Sequence, residues 1–591
     1  MGLATPNGGD ALVAAMRRAG TDVAFGVVSV HNLPLVDAIA RHLRWVPTRT
    51  EAAAVNAADG WARSTGRVGV AVTSTGTGAG NACGALIEAL SAGSSVLHVT
   101  GQVPTDELGR GRGHIHDFPG QIDLLAAVSR HAATVGRGWA GDGTPGGAPA
   151  GGRTPPKDET PVAELLDEAF RRAATAPRGP VSVEWPVDLQ YARTDPGPTD
   201  PGLTDPGVGA DAGPVDPDRV GWFPGLAAPA GPGPDPAAVA AAARLLASAR
   251  RPLIWAGGGA RRAGAALADL LAVLPAGVLT SVSGRGTLPE DDPRVVGAFA
   301  ATPACEPLLD RADLLLAVGT HFRSNETRDL TLPLPARQIQ VDVDPAALGR
   351  AYPCAVGIVG EAGATLRALA TALAETPHAV EPGWADEVAR ARAAVRRAVA
   401  EAAGPQAALC ASLADLLPRD AVICRDVTIP TSTWGNRLLP VHDWRSNLHA
   451  AGGGIGQGLA TGLGAAVARP EVPTVVLAGD GGLAVDLGEL ATLAQERPRL
   501  VLVVFDDGGY GVLRNTQDAF VGRRAGVDLA TPDLVAVARA CGLRAERVGT
   551  AADFRRVVAA ALAERAPAVV VVDVEALGPM PQPFTPPVKV G

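Results

Sequence analysis

The chain alternates short, nearly unbroken apolar runs with longer stretches whose apolar positions recur every three or four residues. Runs at 23–28, 46–49, 68–73 and 96–100 are separated by helical patterns at 10–18, 33–42 and 52–63, and RGPVSVEWPVDLQ closes this first series. Strands buried on both faces read as continuous apolar runs, whereas a period near 3.6 reads as helix. The alternation therefore predicts an α/β unit over 1–192. A second unit over 236–376 has helices at 237–249 and 265–274 and strands at 252–255, 314–318 and 338–341. A helical connector at 377–405 leads to a third unit within 406–591. Two Pro/Gly-rich stretches without periodicity interrupt the pattern, 137–160 as a flexible surface loop and 193–235 as a linker. The linker repeats TDPG at 194, 199 and 204, and no chemistry is assigned to it.

The densest chemistry lies at 478–511, AGDGGLAVDLGELATLAQERPRLVLVVFDDGGYG. An apolar run at 474–478 ends in a Gly479-Asp480-Gly481 turn. A helical pattern follows through Leu483, Leu487, Leu490 and Leu493, and a second buried strand at 500–505 ends at Asp506, Asp507, Gly508 and Gly509. The right-handed crossover of such a βαβ unit puts both strand ends on one sheet edge, so Asp480 and Asp507 can lie side by side. Paired carboxylates next to glycines suit a hard cation bridging to phosphate. A lone GDG, by contrast, is an ordinary turn sequence.

The length of 591 residues suggests three or four domains, and 47% apolar residues suffice for sizeable cores. A net charge of −9 disfavours a nucleic-acid groove or an anionic membrane surface as partner. The sequence shows no membrane-spanning apolar segment, and MGLATPNGGD is not a signal peptide. Six cysteines without metal or CxxC spacing read as reduced, mostly buried thiols of a cytoplasmic protein. Lys157 and Lys589, the only lysines, sit in Pro/Gly-rich or terminal sequence, which argues against Schiff-base chemistry.

The 478–511 stretch resembles the signature of thiamine-diphosphate enzymes, GDG followed at a fixed interval by Asn-Asn and a GYG-like turn. The resemblance implies Mg2+ held by Asp480, Asp507 and the carbonyl of Gly509, with Gly479, Gly481, Gly482 and Tyr510 around the cofactor's diphosphate. Asp507 departs from the family's Asn but still offers oxygen. RTEAAAVNAADGWARSTGRVGVAVTSTGTGAGN, at 49–81, is similar to the family's pyrimidine-binding domain and places Glu51 where a Glu hydrogen-bonds the pyrimidine. Taken alone, Glu51 is a helix-start carboxylate of the kind that satisfies a helix dipole. In AAGGGIGQGLATGLGAA, Gly454 and Ile455 fall where the family props the cofactor into a bent shape; taken alone, Ile455 reads as a packed strand end. DVTIPTSTW puts Thr431 and Ser432 where relatives contact the diphosphate.

These resemblances imply three doubly wound α/β domains: pyrimidine-binding, central and diphosphate-binding. Phe25-Gly26 through HNLPLVDAI, GTGAGNACGAL and GRGHIHDFPGQIDL look most like the branch of benzoylformate decarboxylase and acetolactate synthase. The last segment is also similar to guanidino-2-oxo-acid decarboxylases. Departures are Ser74, where benzoylformate decarboxylase has a catalytic His, and VVSV at 27–30, where relatives have a Pro-Gly turn. The implied reaction is decarboxylation of a small 2-oxo acid, giving an aldehyde or passing the acyl-anion equivalent to a second carbonyl. His114 and His116 are candidate proton relays; as isolated residues they are loop histidines. The implied assembly is a homodimer or homotetramer with sites shared between subunits. FAD is not favoured, since GGGA at 257–260 and GTHFRSNETRD are weak fingerprints. An acetolactate synthase-type carboligase with structural FAD, a flavin-dependent oxidase and a catalytically silent cofactor-binding protein are the alternatives. An intact Glu51 and Asp480 speak against the last.

Overall fold

The computed structural model describes residues 6–140, 160–194 and 231–586. Most of the 137–160 and 193–235 stretches, and both lysines, lie outside these residues. The chain forms two compact units, one of Met1–Pro229, Ala450–Pro470 and Asp486–Pro498, the other of Ala230–His449, Glu471–Val485 and Arg499–Gly591.

The first unit holds a sheet of β1 (Val23–Gly26), β2 (Arg44–Pro47), β3 (Gly69–Thr73), β4 (Val96–Gln102), β5 (His131–Thr134), β6 (Gly138–Trp139) and β7 (Val181–Pro186). Their order is β2-β1-β3-β4-β7-β5-β6, with every pair parallel except β5–β6. Residues 137–160 are therefore not loop from their start, because Gly138–Trp139 extends the sheet. The Arg172 guanidinium lies 4.0 Å from the ring centroid of the Trp139 indole.

Helix Glu51–Thr65 packs on helix Gly458–Ala468 within this unit. Both are rich in Ala and Gly, and the reason is distance. A Cβ at Gly60 would lie 1.9 Å from the Thr461 carbonyl oxygen, and one at Gly464 would lie 1.8 Å from that of Ala57. Only hydrogen fits at those two positions, so the backbones meet directly.

The second unit holds two parallel sheets. One contains β8 (Pro252–Ala256), β9 (Gly277–Thr280), β10 (Val295–Gly297), β11 (Leu314–Val318), β12 (Gln338–Asp342) and β13 (Val356–Val359), in the order β10-β9-β8-β11-β12-β13. The other contains β14 (Val422–Arg425), β15 (Asn447–His449), β16 (Thr474–Gly479), β17 (Leu500–Asp506), β18 (Arg544–Val548) and β19 (Ala568–Asp573), in the order β15-β14-β16-β17-β19-β18. The continuous apolar runs are buried throughout: Val475, Leu477, Val503 and Val570 are 0% exposed. The connector contains the helix Trp384–Ala403.

Three local expectations are corrected. β16 passes at once into a helix at Asp480, so Gly479-Asp480-Gly481 is a strand-to-helix junction and not a separate turn. The helical pattern after it is two helices, Asp480–Val485 and Glu489–Glu496, because Asp486-Leu487-Gly488 breaks the backbone between them. Ile455 is no packed strand end: it lies in irregular backbone and is 36% exposed. The six cysteines form no disulfide; three are buried and three half-buried.

Candidate functional site

In the first unit the chain leaves β1 for the edge strand β2 and returns to β3 on the other side of β1. Such a reversal opens a crevice beyond the carboxyl ends of the two central strands, where open α/β sheets bind ligands. The 27–32 segment leaves β1 here and the Gly-rich turn at 74–78 leaves β3.

Glu51 faces that turn. It begins helix Glu51–Thr65, whose N-cap Thr50 accepts a hydrogen bond from the Ala53 N–H. Glu489 Oε1 accepts the N–H groups of Arg49 and Thr50 at 2.8 and 3.1 Å, fixing the entry to the helix. Half-buried Glu51 accepts a bond from Asn81 Nδ2 through Oε2 at 3.2 Å. Its other oxygen lies 2.9 Å from where a Cβ on Gly78 would be, so glycine is what lets the turn approach the carboxylate.

A buried network stands under the same turn. Gln121 accepts from the Gly76 N–H at 2.7 Å and the Thr75 hydroxyl at 2.9 Å. Its amide donates to Gly101 O and to Glu184 Oε2, both at 3.0 Å. Glu184 also accepts from Gln102 and Thr134, and burial pushes its pKa up despite those bonds. The 114–116 loop lies over the turn, since a Cβ on Gly76 would come 2.4 Å from His116 O. His114 is half-buried and His116 exposed.

Ile455 is held out by an anchored glycine loop. Glu88, 2% exposed, accepts the N–H groups of Ala451 and Gly452. Gly454 follows, packed against Gln457, and the Ile455 side chain projects beyond it.

In the second unit Asp480 and Asp507 come together as the βαβ argument requires, with β16 and β17 paired in register up to Gly479 and Phe505. Asp480 is buried, and its Oδ2 accepts the Gly509 N–H at 2.8 Å. The Gly509 carbonyl oxygen sits 2.9 Å from the position of a Cβ on Gly481, and the Tyr510 ring sits 2.8 Å from it. Gly481 is thus pinned between Asp480, Gly509 and Tyr510, with buried Gly482 next in the chain. Asp507 Oδ1 is buried without a hydrogen-bond partner. Burial and then the neighbouring Asp480 push the Asp507 pKa up to about 6, which Arg514 only partly offsets. A cavity of about 640 Å3 adjoins Asp507, Gly508 and Arg514. Among the described residues no group of three or more His, Cys, Asp or Glu is placed to hold a metal. Two carboxylates with one orphaned oxygen fit a cation that completes its shell with a carbonyl and ligand oxygens.

β14 and β16 flank the reversal in this sheet, and the 426–434 segment leaves β14 there. The Thr431 hydroxyl is engaged within its own turn, accepting the Thr428 N–H at 3.1 Å. The residue is 1% exposed, and its hydroxyl hydrogen is committed to the carbonyls of Asp426 and Thr428. Thr431 braces the turn. Ser432 is half-buried.

Three residues that support these turns escaped the sequence reading: Gln121, Glu184 and Glu489. Glu184 carried a signal, as one carboxylate inside the apolar run VSVEWP; a buried charge needs partners.

Comparison with known proteins agrees with this geometry. The family described as "Thiamine pyrophosphate enzyme, N-terminal TPP binding domain" matches residues 6–127, its central domain 239–369 and its C-terminal TPP binding domain 430–572. "Probable 2-ketoarginine decarboxylase AruI" of Pseudomonas aeruginosa is 32% identical over 91% of this chain and 89% of its own. "Probable acetolactate synthase large subunit" of Methanocaldococcus jannaschii is 28% identical over 92% and 87%. A solved Mycobacterium smegmatis structure, described as that of a thiamin diphosphate-dependent enzyme, aligns over 96% of this chain and 99% of its own with a TM-score of 0.73; at 20% identity it supports the fold. With all three domain models matched and the 2-ketoarginine decarboxylase relative covered over nearly its whole length, the chain belongs to the thiamine-diphosphate enzymes, in the group of 2-oxo-acid decarboxylases and acetolactate synthases.

Proposed function

We propose that this protein removes CO2 from a 2-oxo acid without oxidation and releases an aldehyde, working in the cytoplasm as a homodimer or homotetramer. The observation that carries the reading is the Asp480–Asp507 pair with its orphaned Oδ1, a place for Mg2+ completed by the Gly509 carbonyl and a diphosphate. Thiamine diphosphate, when bound, supplies the nucleophilic carbon and the electron sink for decarboxylation. The chain's residues do the rest. Glu51 would hydrogen-bond the pyrimidine and hold the proton that activates it. Ile455 would set the bend between the rings, with Gly454 giving it room. Gly479, Gly481, Gly482, Tyr510 and Ser432 would frame the diphosphate. His114 and His116 would move protons at the substrate.

Glu51 and Asp480 would serve one cofactor from two chains. Among the described residues no helix is long and apolar enough to cross a membrane, and a net charge of −9 gives nucleic acid no purchase. The second reading is acetolactate synthase-type carboligation, which the methanogen relative's name favours. Flavin is not invoked. The glycines at 257–259 are accounted for by packing, since a Cβ on Gly257 would meet Gly319 O at 2.1 Å. CO2 release across a panel of 2-oxo acids, with and without an acceptor aldehyde, tests the proposal. Aldehyde as main product supports it; 2-hydroxyketone as main product whenever acceptor is present selects the second reading.

A further inference from the structure

The crevice between β1 and β3 contains a histidine that the reaction as proposed does not use. His31 leaves β1 at this crevice and is 6% exposed. Its Nε2 is buried without a hydrogen-bond partner. Its ring stands edge-on to His116, centroids 5.2 Å apart at 89°, and 6.2 Å from the ring of His114. The loop bearing those two is held in an uncommon conformation, with His116 at φ 67 and its carbonyl against Gly76. Non-glycine residues in the left-handed region persist where surrounding structure enforces them, often at ligand sites. Gly76 is two residues from Gly78, which touches Glu51. The three imidazoles therefore sit at the Glu51 end of the crevice.

We infer that His31, with His116 and His114, forms the site that receives the carboxylate of the 2-oxo acid. The inference rests on the reading of the protein as a 2-oxo-acid decarboxylase. A buried, unpartnered ring nitrogen is costly unless a ligand completes it, and a carboxylate oxygen is the matching acceptor for imidazole N–H. Apart from His31 itself, the segments at 27–32 and 74–80 bear no ionisable side chain. The nearby charges are Glu51, across the 74–78 turn, and Asp106, Glu107, Arg110 and Arg112 on the stretch leading to His114, where Arg112 is paired with Glu107. Burial, and then the charge His116 and His114 can carry, lower the His31 pKa, so the ring meets the acid as a neutral donor. That suits decarboxylation. A fixed guanidinium would favour the intact carboxylate over the transition state in which it is lost, whereas a neutral N–H orients it and lets the charge go.

The test uses cofactor-free full-length protein with histidine-selective 13C labelling, titrated with millimolar pyruvate, acetaldehyde or inorganic phosphate. The His31 signal should shift, and its midpoint rise, with pyruvate and not with acetaldehyde. Equal shifts with phosphate would reduce the site to a general anion site, and no shift with pyruvate would overturn the inference. In the loaded enzyme, His31→Asn should raise KM for the 2-oxo acid at least about tenfold while kcat stays within about threefold. If His31→Asn does not fold, His31→Gln carries the same comparison, and the 13C titration of the wild-type protein decides the site without any variant. A wild-type enzyme inert toward every 2-oxo acid sinks the functional reading, while the 13C titration still decides the histidine site.

Discussion

The backbone N–H of Gly509 donates to Asp480 Oδ2 at 2.8 Å, tying the turn after β17 to the first residue after β16. That bond occupies one oxygen of Asp480 and holds the turn carrying Asp507 against it. The two carboxylates that the proposed reading assigns to the cation are therefore tied together by backbone geometry.

Asp507→Asn keeps an oxygen at that place and removes one negative charge facing the diphosphate. Activity should stay within about tenfold, roughly 1.4 kcal/mol of barrier, with weaker magnesium dependence. Asp507→Ala deletes the donor, so calorimetric titration should show loss of magnesium-dependent cofactor binding. Unchanged binding by the Ala variant would remove Asp507 from the site.

Glu51→Gln should fold and bind cofactor yet lose most activity. Mixing it with Asp480→Ala under subunit exchange should restore part of that activity, because with sites shared between subunits, as proposed, a mixed dimer would have one intact site. Re-formed dimers that stay inactive would show that each site belongs to one chain.

Much of this was legible in the chain. Asp480 and Asp507 were readable because a βαβ crossover has one hand, which converts sequence spacing into adjacency. Glu51 was readable from its own surroundings only as a helix-start carboxylate, which the helix Glu51–Thr65 matches; the role proposed for it came from the resemblance of residues 49–81. Pairings set by tertiary packing were not readable. The bonds from the Thr431 hydroxyl to the carbonyls of Asp426 and Thr428 are one such pairing. The strand at Gly138–Trp139 is two residues long and carries no periodicity. Gln121 and Glu184 are 63 residues apart, and only the sheet order β4-β7-β5 brings them beneath the turn.

Gln121→Leu removes the acceptor for Gly76 N–H and Thr75, leaving buried donors unpaired at about 1–3 kcal/mol. Stability should fall by that order and kcat with it, since the turn against Glu51 loosens. Glu184→Gln keeps an acceptor for Gln102, Gln121 or Thr134 and should cost less. Equal losses from both variants would mean the network supports folding alone.

His98 is 0% exposed between Thr73 and Ser182, and burial lowers its pKa to about 3. Its folded pKa lies below the unfolded value of about 6.5, so the unfolded chain binds the extra proton. Stability is then full above that value and declines as pH falls toward 3. Denaturation from pH 7 to 5 should show a shallower decline for His98→Gln than for wild type; parallel declines would assign the acid sensitivity elsewhere.

The central claim is that Glu51 and the Asp480–Asp507 pair serve thiamine diphosphate in decarboxylating a 2-oxo acid. It is tested most directly by CO2 release from the best acid of the panel, with magnesium and thiamine diphosphate added back singly and together. Wild type should release CO2 only when both are present, and Glu51→Gln should bind both but turn over at least about a hundredfold more slowly, as loss of a general acid–base group does. CO2 release by wild type without thiamine diphosphate, or turnover by Glu51→Gln within about threefold of wild type, would contradict the account.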